Sequence, residues 1–276
     1  MQIIKILIFA GFAGILISNA GCKSDQSQSP ATTGTEELQP VPVPKFDRDS
    51  AFSFVGKQVA FGPRVPNTGA HRQCRDWLAS QFKSYGLTVL EQGFKATAYT
   101  GETLSGTNIM AQYKPEAPHR ILLAAHWDSR HIADSPLSTA RRDEPILGAD
   151  DGGSGVGILL EIARQLQSHP ANVGVDLLLF DAEDHGDDND QTPNPESWCL
   201  GSQYWSKNMV PSGYHPKYGI LLDMAGAKNA TFTKEGVSMN FAPAVTNKVW
   251  KLAQNLGYGT YFTETKSGAI TDDHYF

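Results

Sequence analysis

The apolar run Leu177-Leu178-Leu179-Phe180 stops at Asp181-Ala182-Glu183-Asp184, where two carboxylates stand side by side. A continuous run of strand length reads as a strand buried on both faces, which demands a sheet with a layer packed on each side. In open α/β sheets the chemistry gathers just beyond the carboxyl ends of such strands. Neighbouring side chains at that edge can divide labour, one carboxylate holding a cation while the next moves protons. The competing reading is a solvated strand-to-loop turn, because Asp184-His185-Gly186-Asp187-Asp188-Asn189-Asp190 is polar enough to be loop and nothing more.

Two further strands end in the same way. Arg120 to Ala125 is apolar after its first residue and runs into His126-Trp127-Asp128, and Tyr218 to Leu222 runs into Asp223. A loop, Gly148-Ala149-Asp150-Asp151-Gly152-Gly153-Ser154-Gly155, opens a helical pattern from Val156 to Leu166, which leads to the strand beginning near Val175. Strand, loop, helix and strand in that order make a βαβ unit with parallel neighbours. Earlier in the chain the spacing predicts a short helix through Phe54, Val55 and Val59, capped by Asp49 or Ser50 and closed by Gly62-Pro63. A longer helix is expected from His71 to Tyr85 with Gly86 as its stop, His71 being a helix-start residue and not a ligand. Outer strands are expected at Leu87 to Phe94 and Thr107 to Tyr113, a helix at Leu200 to Asn208, a short strand at Thr231 to Glu235, and a helix at Ala242 to Leu256. The fold class that follows is α/β: a single domain with a central mixed, mostly parallel β-sheet flanked by helices.

The net charge is −6, and no Lys/Arg run offers a surface to replace phosphate counterions, so a nucleic-acid partner is excluded. Lys5 precedes an apolar run from Ile6 to Ile17, too short for a membrane span and of signal-peptide length. Asn19-Ala20-Gly21-Cys22 follows, so residues 1–21 are expected to be a lipoprotein-type signal peptide with Cys22 as the lipid-bearing first residue. Plain secretion is the alternative. Residues 22–46, rich in Ser, Gln, Thr and Pro, read as a tether, and residues 47–276 as the single folded domain of an exported, periplasmic protein held to the membrane by its lipid alone. Cys74 and Cys199 can pair after export or remain two buried thiols, and the lack of any C-x-x-C pair excludes cysteine-based zinc binding.

Other chemistries fail on spacing. Gly153, Gly155 and Gly157 do not satisfy the dinucleotide pattern, no Lys-Ser/Thr follows for a P-loop, and Ser154 lacks the glycine two residues on that a nucleophile elbow needs. What remains is one histidine with several carboxylates delivered to one sheet edge, a donor set suited to catalytic zinc. Carboxylates crowded without compensation repel, and a dication relieves that repulsion.

His126-Trp127-Asp128, Gly148-Ala149-Asp150-Asp151, Phe180-Asp181-Ala182-Glu183-Asp184, Leu221-Leu222-Asp223 and Asp272-Asp273-His274 together resemble, in order and spacing, the M28 family of zinc peptidases, and within it the glutaminyl-peptide cyclotransferase branch. The resemblance implies one zinc held by Asp151 and Asp184, with Glu183 as the general acid/base. It implies a third zinc ligand, a histidine, in a segment after residue 276, because Tyr275-Phe276 reads as the start of an element. His126 and Asp223 match positions that hold a second zinc in two-metal aminopeptidases, and Asp223 and Asp272 match an acidic hydrogen-bond network near Glu183. Trp198 and Ile270 are expected to wall the substrate pocket. The implied reaction converts the N-terminal glutamine of peptide or protein substrates to pyroglutamate and releases ammonia. The alternatives are a two-zinc aminopeptidase and, from another class, a non-catalytic secreted binding protein.

Overall fold

The computed structural model describes residues 5–9, 43–189 and 191–276. The expected lipidation at Cys22 lies outside these residues, as does all of the expected leader except Lys5–Phe9 and all of the tether before residue 43. No helix among the described residues is long and apolar enough to cross a membrane.

Three strands form the centre of the sheet. Strand β5 (Gly174–Phe180) is buried at every position and pairs in parallel with β4 (Arg120–His126), whose other flank pairs in parallel with β6 (Gly219–Asp223). Beyond β5 lie β3 (Thr103–Tyr113) and β2 (Thr88–Thr97), both antiparallel, and beyond β6 lies the antiparallel β1 (Lys5–Phe9). The six-stranded order is β1-β6-β4-β5-β3-β2. The sheet is therefore mixed, and parallel pairing is confined to its centre, a narrower extent than "mostly parallel". The reason is local: the link between β2 and β3 is a short turn, which can only produce an antiparallel pair.

Period-two alternation along β5 sends its side chains into two cores. Leu177 and Leu179 join Ile109, Ala125 and Trp127 under helices α2 (Gly69–Ser84) and α3 (Gly153–Ser168), which contribute Leu78, Phe82, Val156 and Leu160. Leu178 and Phe180 face the opposite layer, where Trp205 of α4 (Leu200–Lys207) and Tyr214 cover them. Helix α1 (Arg48–Ala60) packs outside α3 and is capped by Asp47, whose carboxylate accepts from the N–H groups of Asp49 and Ser50 at 3.0 and 3.1 Å. The cap therefore falls earlier in the chain than the expected Asp49 or Ser50. Cys74 and Cys199 are both free and buried, the second of the two alternatives. Burial pushes the Cys74 thiol up to about 12.

A smaller unit follows β6. It comprises β7 (Phe232–Lys234), α5 (Gly236–Phe241), α6 (Pro243–Asn255) and β8 (Phe262–Lys266), with β7 and β8 paired in parallel around Phe232, Trp250 and Phe262. Glu235 knits this unit to the acidic loop that follows. Its buried carboxylate accepts from the N–H groups of Val237, Ser238 and Ile270 at 2.7 to 2.9 Å, and His274 Nε2 lies 3.5 Å away. Burial alone would raise its pKa, but these donors outweigh it and bring it down to about 2. A depressed folded-state value means stability that is present above the unfolded glutamate's ~4.3 and lost as pH falls toward about 2. Urea unfolding from pH 5 down to 2 is expected to show a shallower acid loss in Glu235→Gln than in the wild type. Parallel curves would remove Glu235 from the acid transition.

Candidate metal centre

Register brings the polar strand ends together. His126 pairs with Phe180 across β4–β5, and Ala124 pairs with Leu221 across β4–β6, so His126, the Asp181–Asp184 turn and Asp223 emerge at one edge. Gly152 opens α3 beside them with φ +77, and a Cβ there would meet the Asp128 carbonyl at 2.5 Å and the His126 ring at 3.0 Å. The glycine-rich loop thus serves close packing against the site. Ser154 is structural as well: its hydroxyl donates to the Asp150 carbonyl and accepts from Ala225 N–H at 2.9 Å. Asp150 receives the Gly226 N–H at 2.8 Å, tying the loop that leads into α3 to the loop after β6.

His126 is at the middle of the cluster. Its Nε2 lies 3.0 Å from Asp151 Oδ1 and 3.3 Å from Asp223 Oδ1, and its Nδ1 lies 3.4 Å from Asp128 Oδ1 and 3.9 Å from Glu183 Oε2. Burial opposes a charge on the ring, yet Glu183, Asp128, Asp151 and Asp223 outweigh it and hold its pKa well above the ordinary value. Asp128 grips the central turn, its two oxygens accepting the N–H groups of Glu183 and Asp184 at 3.1 Å each. Burial raises the Glu183 carboxyl well above the usual range; His126 opposes the rise, and Asp184, Asp272 and Asp273 reinforce it. Asp184 is likewise pushed well up, by burial and then by Asp151.

Among the described residues, two groups have donors within 4.8 Å of one another: His126–Asp151–Asp223 and Glu183–Cys199–Asp272. Asp151 and Asp184, expected as joint ligands, do not share either group, although they are close enough for each other's charge to matter. The Asp184 Oδ2 atom is buried with no hydrogen-bond partner. An orphaned buried carboxylate oxygen on a residue that feels the charge of Asp151, at an edge that also gathers His126 and Asp223, has donor chemistry that suits a zinc ion, so the residues present fit the metal. Of the two residues expected in an acidic network near Glu183, Asp272 stands beside it and Asp223 lies nearer His126. A cavity of about 640 Å³ opens over the cluster, lined by Arg130, Asp151, Glu183, Asp184, Trp198 and Asp223 among others. Trp198 lies on the wall of this cavity. Thr271 lines the cavity next to Ile270, whose N–H is bound by Glu235.

Three residues at this edge were not foreseen as partners of the site. His71 is buried and places Nε2 2.9 Å from both oxygens of Asp181, which fixes the end of β5 from beneath. Arg64, wholly buried, donates from Nε to the Trp127 carbonyl and from Nη1 and Nη2 to the Leu147 and Gly148 carbonyls, at 2.7 to 2.8 Å. Arg130 binds carbonyls on the Asp184 turn. An arginine that acts on backbone atoms far along the chain leaves no spacing signal.

An α/β sheet whose parallel centre delivers one imidazole and several carboxylates to a cavity edge has the donor chemistry of a zinc site. The chain belongs to peptidase family M28, whose model matches residues 108–276. It is 50% identical to the Zn-dependent exopeptidase from Parabacteroides distasonis, covering 85% of this chain and 80% of that one with a TM-score of 0.82. It is 50% identical to Tannerella forsythia glutaminyl cyclase, over 84% and 80% of the chains at a TM-score of 0.81. A leucine aminopeptidase precursor from Bacteroides thetaiotaomicron is 47% identical over 86% and 82%, at a TM-score of 0.83. The chain spans less than half the length of the curated relatives it matches first.

Proposed function

We propose that this chain is a zinc-dependent glutaminyl-peptide cyclotransferase acting on peptides or proteins with N-terminal glutamine. The observation that carries the reading is the Glu183 carboxyl, part-buried on the cavity wall next to Asp184 and with a donor atom within 4.8 Å of Asp272, where it is placed to take and return a proton. The likeness to the Tannerella forsythia cyclase supports it.

Zinc held by Asp151 and Asp184 would supply Lewis acidity toward the side-chain carboxamide oxygen of the substrate. Glu183 accepts a proton from the α-amine nitrogen as that nitrogen bonds to the carboxamide carbon, and returns it to the departing nitrogen, which leaves as ammonia. Asp272 holds Glu183 in an acidic network that keeps the proton available, and Asp223 steadies His126. Trp198 offers an apolar wall that keeps water from competing for the carbonyl, whereas Ile270 is not among the residues lining the cavity, its neighbour Thr271 standing there instead. Both reacting atoms belong to one residue, so holding them close is most of what the protein must do. Export with a lipid on Cys22 is part of the same proposal: it would place the enzyme at the periplasmic membrane surface and leave the mature sheet without its edge strand β1.

The His126–Asp151–Asp223 group favours a second reading, a two-zinc aminopeptidase in which Asp151 bridges the ions. Product and metal content separate the two. With the full chain and a Gln-initiated peptide, the expected result is one ammonia released per peptide, a product shortened by no residue, and about one zinc per chain. Free amino acid as product with about two zincs would replace the cyclase by the aminopeptidase.

A further inference from the structure

Arg130 lines the cavity yet has no part in the chemistry above. Its side chain is buried, at 6% exposure. Nη1 donates to the carbonyl oxygens of Asp184 and Gly186 at 3.1 and 2.9 Å. Nε donates to Asp134 Oδ1 at 3.0 Å, Nη2 pairs with the other oxygen of that carboxylate, and the guanidinium carbon lies 4.4 Å from the centroid of the Trp198 ring. The indole itself is fixed to the same turn. Its Nε1 donates to the Asp187 carbonyl at 3.2 Å, and a Cβ added to Gly186 would meet the ring at 2.1 Å. The turn from Glu183 to Asp187 is therefore held on two sides: Asp128 takes the N–H groups of Glu183 and Asp184, and Arg130 takes the carbonyls of Asp184 and Gly186.

We propose that Arg130 is a positioning residue for the metal ligand Asp184, acting as a planar clamp between Asp134 and Trp198 that lysine cannot replace; the inference rests on reading Asp184 as a zinc ligand. With the Asp184 peptide fixed at both its N–H and its carbonyl, only the side-chain torsions of Asp184 remain to be settled by the metal. Loosening the carbonyl side lets the whole residue move, and loss of such an outer support costs a metal site about 10–100-fold in affinity. The geometry explains why charge alone does not suffice. A guanidinium can donate to two carbonyls and a carboxylate in one plane while stacking on an indole, whereas an ammonium is a compact point charge with no flat face.

The test measures zinc affinity by competition with a chelating dye, on the metal-depleted full chain, for wild type, Arg130→Met and Arg130→Lys. Both variants are expected to bind zinc about 10–100-fold more weakly than the wild type, with folded-state circular dichroism retained. Recovery of wild-type affinity in Arg130→Lys would overturn the planar clamp, and wild-type affinity in both variants would overturn any positioning role. Should Arg130→Met fail to fold, Asp134→Asn serves beside Arg130→Lys, because Asp134 sits at the cavity rim with 26% of its side chain exposed and removing its charge releases the guanidinium from one side. Zinc affinity is expected to fall in that variant too, and an unchanged value in both would overturn the proposal. A wild-type chain that takes up no zinc overturns the metal reading itself, an outcome distinct from variants that match a zinc-binding wild type.

Discussion

Glu183→Gln is expected to lower turnover of a Gln-initiated peptide by about 10²–10⁴-fold, the usual contribution of a positioned acid/base group. The substitution is well matched to the question because the backbone of residue 183 is held independently of its side chain. Its N–H goes to Asp128 Oδ1 at 3.1 Å, and its carbonyl accepts from Cys199 N–H at 2.9 Å. An amide of the same shape leaves both contacts in place and removes only the capacity to take a proton. The Cys199 Sγ–H, 3.6 Å from Glu183 Oε1, can still face the amide oxygen. The loss is therefore expected in kcat with zinc content and KM little changed, since the carboxylate matters only while the proton is moving. Steady-state ammonia release with metal analysis of the same sample checks it. A variant that keeps more than about a tenth of wild-type kcat would move the acid/base role away from Glu183.

The parts of this site that could be read from the sequence are those fixed by strand periodicity. The run Leu177 to Phe180 could only be a strand buried on two faces, and once β4 and β6 are recognised as its parallel neighbours, their last residues must appear at one edge. His126, Glu183, Asp184 and Asp223 follow from that rule, and Asp151 follows from the loop that must connect β4 to α3. The supports behave differently. Arg64 reaches Trp127 and Gly148, and Arg130 reaches Asp184 and Gly186, through hydrogen bonds spanning 54 to 84 residues. Their acceptors are backbone carbonyls, which every residue carries, so nothing in the sequence marks them. The strand β8, Phe262–Lys266, escaped for another reason: after Phe262 its residues are Thr-Glu-Thr-Lys, and only Phe262 carries apolar packing against Phe232 and Trp250. His71 was expected only to start a helix, because its partner Asp181 lies 110 residues away, at the end of β5. Groups that do chemistry sit where periodicity exposes them, while groups that hold them in place are specified only by the folded chain.

Removal of the Arg64 side chain is expected to cost about 3–5 kcal/mol of stability, the largest loss from a single substitution at this edge. The side chain is fully buried, and its three donating nitrogens all go to carbonyls, at Trp127, Leu147 and Gly148. Those carbonyls stand at the end of β4 and just before the Asp150-Asp151 loop, so one residue ties the His126 strand to the Asp151 loop. In Arg64→Met the Trp127 and Gly148 carbonyls lose their donor inside the protein, at about 1–3 kcal/mol each, while the part-buried Leu147 carbonyl can turn to water. Part of that loss is returned, because a buried guanidinium is itself costly: burial lowers its pKa, with Cys74, Asp128, Asp151 and Asp184 opposing the shift. The balance gives the net figure. Arg64→Lys should recover only a fraction, since one ammonium cannot reach all three carbonyls in the fork geometry that the guanidinium provides. Equilibrium unfolding in urea reads the effect directly, as a lower midpoint at an unchanged slope. A shift in Arg64→Met of less than about 1 kcal/mol would mean that water or a local rearrangement satisfies the carbonyls, and that the β4 end and the Asp151 loop are held together by packing instead.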